Sequence, residues 1–424
     1  MSYERFFSHA AVAMRESAIR RMGTLGARIP DLISFAPGFP DPAMFPWDAL
    51  REAAGDLLSG DDQGALQYGP TRGYGPLLQA LEPLLASRGI ASTLDQRLIT
   101  SGSQQGLDLV ARVLIDPDDV VLVELPTYTG AISAFVNARA RLMGVRQDED
   151  GIDVDELDRA VARVRAEGRR VRLLYVVPNF QNPTGLLIGH DKRRRLLEWA
   201  EKADVLIVED DPYGDLFFPD SAGPADTRPL KADDTAGRVV YLSSFSKTLA
   251  PGLRTAWVVA PEPIVQKFDV AKQAADICTG SLDQRLVHRA LGAGLLAAQG
   301  ERLRAHYQGK RIVMERAIAA WGPGLASWPR PRGGFFLWLT LPPAVDAERL
   351  LRRALGLSVS FVTGSAFFVD GSGHNTVRLS FSQPSEPEIE EGIARLGRAL
   401  REELESQLPA GGSSADSGIS VPRG

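Results

Sequence analysis

Cysteine is almost missing from this chain: Cys278 stands alone among 424 residues, which excludes any disulfide within it. Histidine is nearly as scarce, and the five present are scattered without metal-ligand spacing, so no metal is expected. An excess of basic charge is also lacking. Lys and Arg number 48 against 53 Asp and Glu, for a formal net charge of -5, which gives nucleic acid and anionic membrane no electrostatic claim as partners. No apolar run is long enough to span a bilayer, and Met1 to His9 lack the basic region and apolar core of a secretory signal. A reducing, cytoplasmic setting is the expectation. Internal repeats are absent too. The local basic run Lys192-Arg193-Arg194-Arg195 reads as a solvated helix face.

What is there is ordinary globular material, 44% hydrophobic and 24% charged, in a chain longer than one hydrophobic core usually serves, so two lobes are expected. Short apolar runs alternate with amphipathic stretches: residues 97–100, 120–124, 171–177, 205–210, 239–243 and 255–260. Strands separated by helical patterns predict an α/β fold with a mainly parallel sheet sandwiched by helices, and such sheets bind ligands beyond the carboxyl ends of their strands. After about Leu291 the pattern changes to a long helical stretch followed by the runs 333–339 and 376–381, which predicts a smaller α+β lobe. The Gly- and Ser-rich tail, 410–424, reads as disordered.

The segment Ser243-Ser244-Phe245-Ser246-Lys247 sets a lysine among hydroxyls directly after an apolar run, and Arg254 follows seven residues later. A lysine amine can condense with an aldehyde cofactor to a Schiff base, while hydroxyls and a guanidinium suit a phosphate dianion. Taken alone, the segment fits a solvated lysine in a Ser-rich turn equally well. Ser101-Gly102-Ser103-Gln104-Gln105-Gly106 leads from a strand into an apolar-periodic helix, so its free N–H groups and dipole would face an anion, with Ser103 and Gln104 as donors. A plain capped helix is the simpler reading of that stretch by itself.

Together with Asn182-Pro183-Thr184-Gly185 and Asp210-Asp211-Pro212-Tyr213, these motifs resemble the fold type I aminotransferases of class I/II. Residues 39–46 (FPDPAMFP) and 66–74 (LQYGPTRGY) resemble more narrowly the branch of 2-aminoadipate, kynurenine and multi-substrate aromatic aminotransferases. The likeness runs from about Ile33 to Leu400, with the motifs in the family's order. It implies an N-terminal arm with part of the small domain at 1–45, a large cofactor-binding domain at 46–290 and a small domain at 291–409. It also implies pyridoxal 5'-phosphate, anchored on Lys247, which then moves the proton between the substrate's Cα and the cofactor. By the same resemblance Asp210 pairs with the pyridine nitrogen, Asp211 being the lesser candidate, and Tyr128 stacks on the ring. Asn182 and Tyr213 face the phenolic oxygen, Ser244, Ser246 and Arg254 hold the phosphate, and Tyr68 reaches the phosphate of a neighbouring subunit in a homodimer. Arg378 forks onto the substrate α-carboxylate, Gly38 admits the substrate, and Arg20, or else Arg21, meets a distal carboxylate. The expected reaction moves an amino group from an L-amino acid to a 2-oxo acid, 2-oxoglutarate foremost, in a ping-pong cycle. A β-eliminating C–S lyase on the same scaffold is the alternative enzyme. A non-catalytic cofactor-binding regulatory domain is the other, although about forty residues before the first motif are too few for a DNA-binding module. One departure stands out: Ala36-Pro37-Gly38 replaces the branch's Ala-Gly-Gly, which stiffens the loop over the substrate.

Overall fold

A computed structural model describes residues 3–14, 29–60 and 62–406. Arg20, Arg21 and the tail 410–424 lie outside the described residues. The strands, in chain order, are β1 (Ile33–Ser34), β2 (Arg97–Thr100), β3 (Val120–Leu125), β4 (Arg141–Asp148), β5 (Gly151–Ile152), β6 (Val171–Val176), β7 (Leu206–Asp210), β8 (Val239–Ser244), β9 (Ala256–Val259), β10 (Phe336–Thr340), β11 (Val359–Ser360), β12 (Val362–Thr363) and β13 (Thr376–Ser380).

Eight of them make one sheet in the order β2-β9-β8-β7-β6-β3-β4-β5. β8, β7, β6, β3 and β4 run parallel, β9 lies antiparallel between β2 and β8, and β5 closes the far edge antiparallel. β3, β6, β7 and β8 are mostly apolar and buried because helices cover both faces of the sheet there. Alternation sorts their side chains. Val121 and Val123 of β3 pack with Leu107, Val110, Phe135 and Phe268 from one helical layer. Val120 and Leu122 pack with Leu157, Val164, Leu196 and Trp199 from the other.

The second core is gathered by the antiparallel sheet β10-β13-β12, the short parallel pair β1-β11, and the helices Leu295–Ala319, Ala347–Gly356 and Glu386–Glu405. The last helix starts where the sequence dictates: the Ser385 hydroxyl and the Glu388 carboxylate cap each other's backbone N–H groups, a reciprocal capping box. Phe180, Leu187, Tyr213 and Phe218 from the loops of the large sheet join this core and pack the two lobes together.

The basic run corrects the sequence reading. Arg194 and Arg195 are exposed, but Lys192 and Arg193 are buried on the inner face of the helix His190–Ala203. Lys192 pairs with Asp148 and Asp150. Arg193 donates to the carbonyls of Ile188 and Pro178 and to Asn179 Oδ1, so its fork satisfies backbone acceptors that have no strand to pair with. β4, the eight-residue strand near the edge, was not expected: its mix of Arg, Gln and Asp hides the pattern because its exposure is patchy. Among the described residues no helix is long and apolar enough to cross a membrane, and no group of three or more His, Cys, Asp or Glu is placed to hold a metal.

Candidate active site

The turns after β2, β3, β6, β7 and β8 leave the sheet at one edge, the carboxyl ends of its parallel strands, and converge beneath the loop carrying Gly38. They enclose a cavity of about 470 Å³. Gly38, Ser103, Gln104, Tyr128, Asn182, Asp210, Tyr213, Ser244, Ser246, Lys247, Arg254 and Arg378 all line it. Tyr68 does not; it is 78% exposed.

Lys247 follows β8 by three residues. Its Nζ donates to the Gly38 carbonyl at 2.9 Å and lies 5.8 Å and 5.7 Å from the ring centres of Tyr213 and Phe335. Burial, with the positive fields of Arg378 and Arg254 added, draws its pKa down to about 8 against a weaker opposing pull from Asp210. An amine held there is partly neutral near physiological pH, as a nucleophile must be. Gly38 has no room for a side chain, since a Cβ would stand 2.6 Å from the Phe336 ring.

The two aspartates after β7 are in different situations. Asp211 is fully engaged: Arg88 at 2.8 Å, Asn179 Nδ2 at 2.8 Å, the Gly214 N–H at 3.0 Å and the Tyr241 hydroxyl at 3.1 Å all donate to it. Asp210 accepts only from the Tyr175 hydroxyl, at 2.8 Å on Oδ2, and its Oδ1 is buried without a partner. Burial foremost, and then the neighbouring Asp211 charge, push its pKa up to about 7 against the Tyr175 hydrogen bond.

Arg378 sits mid-strand in β13, fully buried between the rings of Phe336 and Phe367, 4.3 Å and 5.1 Å from their centres. It donates to Asn182 Oδ1 at 2.8 Å and to the Ala36 carbonyl, while its Nε is buried and unpartnered. Burial lowers its pKa to about 10. Of the cavity's lining residues, Asp210 and Arg378 alone carry an orphaned buried side-chain atom, one acceptor and one donor.

The opposite wall is the turn into the helix Ser103–Leu114. Gly102 takes φ +84°, a backbone conformation that favours glycine, and a Cβ there would lie 2.1 Å from the Arg254 guanidinium, which would have to shift. Arg254 Nη2 donates to the Ser101 carbonyl at 3.2 Å. Behind the turn Asp276 accepts from Ser101 Oγ at 2.8 Å, from Gln105 Nε2 at 2.7 Å and from the buried Lys272 at 2.8 Å. Ser244 and Ser246 are joined hydroxyl to hydroxyl at 2.8 Å, and the Gln104 amide is occupied by the Gly130 carbonyl at 3.0 Å. A helix N-terminus, an arginine and clustered hydroxyls suit a phosphate; the open Asp210 oxygen suits a pyridinium N–H; the lysine suits an aldehyde. These residues fit pyridoxal phosphate.

Sequence reasoning missed Tyr175, Phe336, Phe367 and the Lys272–Asp276 pair. Tyr175 gave one signal: a hydroxyl in the otherwise apolar run 173–177 must find a buried partner.

The chain matches the family aminotransferase class I and II over residues 30–396. It is 38% identical to aromatic-amino-acid aminotransferase 1 of Thermococcus litoralis, covering 95% of this chain and 96% of that one. It is 41% identical to the 2-aminoadipate transaminase of Thermus thermophilus, covering 95% and 98%. The crystal structure of Pyrococcus horikoshii kynurenine aminotransferase superposes with a TM-score of 0.89 at 39% identity, over 95% of this chain and 98% of that one. With the family matched over most of its length, the chain belongs to the class I and II aminotransferases: it is a fold type I transaminase that uses pyridoxal phosphate.

Proposed function

We propose that this transaminase moves the amino group of an L-amino acid, aromatic, kynurenine, 2-aminoadipate or branched-chain in type, to a 2-oxo acid, with 2-oxoglutarate as acceptor in a ping-pong cycle. The observation that carries the reading is the triple of Lys247, the open Asp210 oxygen and the unpartnered Arg378 Nε around one cavity. Pyridoxal phosphate, when bound, supplies an aldehyde for the amino group and an electron-poor ring that spreads the electron pair left at Cα. The chain's own residues do the rest. Arg254, Ser244, Ser246 and the Ser103–Gln104 turn hold the phosphate, Tyr128 packs against the ring, and Asn182 and Tyr213 face its phenolic oxygen. Asp210 keeps the ring nitrogen protonated, Arg378 orients the α-carboxylate, and Lys247 takes and returns the Cα proton.

The cavity's lining supports an apolar or aromatic donor. Its cations among the described residues are Lys247, Arg254 and Arg378, each already matched to another task, while Phe39 and Val177 offer carbon. The relatives' names, aromatic-amino-acid and 2-aminoadipate, point to the same range. A distal carboxylate then needs a further cation, and Arg20 is proposed to bring it; Arg20→Ala should cost about ten-fold in kcat/KM for glutamate and spare phenylalanine. We place the exposed Tyr68 against a second subunit of a cytoplasmic homodimer.

The test is a panel of amino acids added to the loaded protein without an oxo acid. Conversion of the cofactor spectrum at one equivalent per subunit, reversed by 2-oxoglutarate, is expected. Release of thiol from cysteine conjugates without that conversion would identify a C–S lyase instead, and silence toward every amino acid would leave a binding domain.

A further inference from the structure

Tyr175 belongs to β6 and stands beside Val208 of β7, two residues short of Asp210. It is fully buried, and Phe135 meets its ring edge-on with centres 5.7 Å apart. Packing of that kind needs no hydroxyl, for a phenylalanine fills the same place. Yet the hydroxyl is aimed at Oδ2 of Asp210 at 2.8 Å, and the other carboxylate oxygen has no partner. We infer that Tyr175 is a positioning residue that claims one oxygen of Asp210, so that the other is fixed toward the cofactor's ring nitrogen and the shared proton stays on that nitrogen. This rests on the reading that Asp210 faces the ring.

The physical case is one of competition for a proton. A carboxylate in a dry site tends to recover its proton, and the adjacent Asp211 charge strengthens that tendency, while Lys247 weakens it only from a distance. Another titratable group that senses Asp210, Tyr213, has its own pKa raised by burial first, then by Tyr128 and Asp210 against the pull of Arg378, and is neutral. Tyr175 is thus the one close donor the described residues give Asp210. Its hydrogen bond is stronger to the charged carboxylate than to the neutral acid, so it favours carboxylate beside protonated ring over carboxylic acid beside neutral ring. Rotation of the carboxylate about its Cβ–Cγ bond is blocked by the same contact.

The test uses the holoenzyme loaded with pyridoxal phosphate labelled with ¹⁵N in its ring, whose chemical shift reports protonation of that nitrogen independently of turnover. In Tyr175→Phe the apparent pKa of the nitrogen should fall by about one to two units, the value of one charge-assisted hydrogen bond. At pH 8 kcat should fall about ten-fold with the amino acid KM held within about two-fold, since substrate contacts are untouched. Asp210→Asn is the control and should leave the ring nitrogen unprotonated. A shift in Asp210→Asn with none in Tyr175→Phe overturns the inference and leaves Tyr175 a packing residue. No shift in either sinks the underlying reading of Asp210. Should Tyr175→Phe fail to fold or load, 3-fluorotyrosine at position 175 keeps ring and hydroxyl but strengthens the donor, and must move the nitrogen's pKa upward; a downward or absent shift overturns the inference equally.

Discussion

Replacing Arg378 by lysine keeps a positive charge at the heart of the cavity and removes the fork. The guanidinium has five donors, of which Nη1 serves Asn182 and Nη2 serves the Ala36 carbonyl, leaving Nε and the remaining hydrogens for a carboxylate. A lysine ammonium has three donors on one atom and cannot reach both protein acceptors while presenting two parallel bonds to a substrate. One charge-assisted hydrogen bond at least is lost, and a second is lengthened, for a cost of about 2–4 kcal/mol. That converts to a loss of about thirty-fold to about a thousand-fold in kcat/KM. Because the α-carboxylate is common to all amino acids, phenylalanine, leucine and glutamate should lose the same factor in single-turnover conversion of the cofactor spectrum. Phenethylamine, which has no carboxylate, supplies the control: its slow reaction should be unchanged by Arg378→Lys. A loss that differs strongly among the three amino acids, or one that phenethylamine shares, would show that Arg378 acts by holding Asn182 and the stacked Phe336 and Phe367 rather than by gripping substrate.

Further outcomes can be checked separately. Borohydride reduction of the holoenzyme should fix the cofactor to Lys247, as peptide mapping will show, and Lys247→Ala should bind the cofactor through its phosphate yet turn over nothing; a label on another lysine refutes the assignment. In the apoprotein, Asp210 carries a folded pKa near 7 against an ordinary 3.8, so the folded state retains a proton the unfolded chain has lost, and this group's stabilisation is present below about pH 4 and declines as pH rises to 7. Asp210→Asn should therefore gain on the wild type by up to about 4 kcal/mol between pH 4 and pH 8 in thermal unfolding of the apo forms, and a constant difference would contradict the burial argument. Lys272→Met removes the cation that clamps Asp276 and Gln105 behind the phosphate turn, and the cofactor should dissociate about ten-fold faster on dilution, because a turn left loose loses about one hydrogen bond's worth of preorganisation. Unchanged retention would make the pair a fold element only.

Much of this site was legible because its chemistry is written in contiguous motifs. Lys247, Asn182 and Asp210 each stand at or just after the end of an apolar run, and a parallel sheet brings the ends of such runs to one edge whatever lies between them; Arg254 reaches the same edge from just before the antiparallel β9. Arg378 was equally legible by motif, although its burial between two phenylalanines was not, since Phe336 and Phe367 come from segments that read as core. Tyr175 and the Lys272–Asp276 pair were missed for a common reason. Their roles are to hold another residue, and holding depends on which strands and helices become neighbours, which local pattern does not encode. Lys192 and Arg193 show the opposite error: charge clustering reads as solvent exposure, but a long side chain can carry its head inward when carboxylates and backbone carbonyls there accept from it. Hydrogen bonding separates Asp210 from Asp211 in a way the motif did not, with four donors on Asp211 and one on Asp210, which supports the proposal that Asp210 is the one left for the ring.

Under the proposed assignment, the charges of the cavity also set when Lys247 would act as a base. Three groups there are pressed toward neutrality by burial, Asp210 upward and Arg378 and Lys247 downward, and two of the influences that depress Lys247 are the unmatched positive charges of Arg378 and Arg254. A phosphate at Arg254 and a carboxylate at Arg378 cancel those fields, while Asp210 continues to favour the protonated amine. The amine therefore gains proton affinity as its two anionic ligand groups arrive, so a fully assembled site holds a stronger base than an empty one, and the free protein avoids burying a permanent ammonium. The consequence is measurable in the half-reaction. With phenethylamine, Arg378 stays uncompensated, and the limb of the pH profile that reports Lys247 should lie at lower pH than with phenylalanine. Coincident limbs for the two substrates would mean that Arg378 does not act on Lys247 through its field, and that burial alone sets the strength of the base.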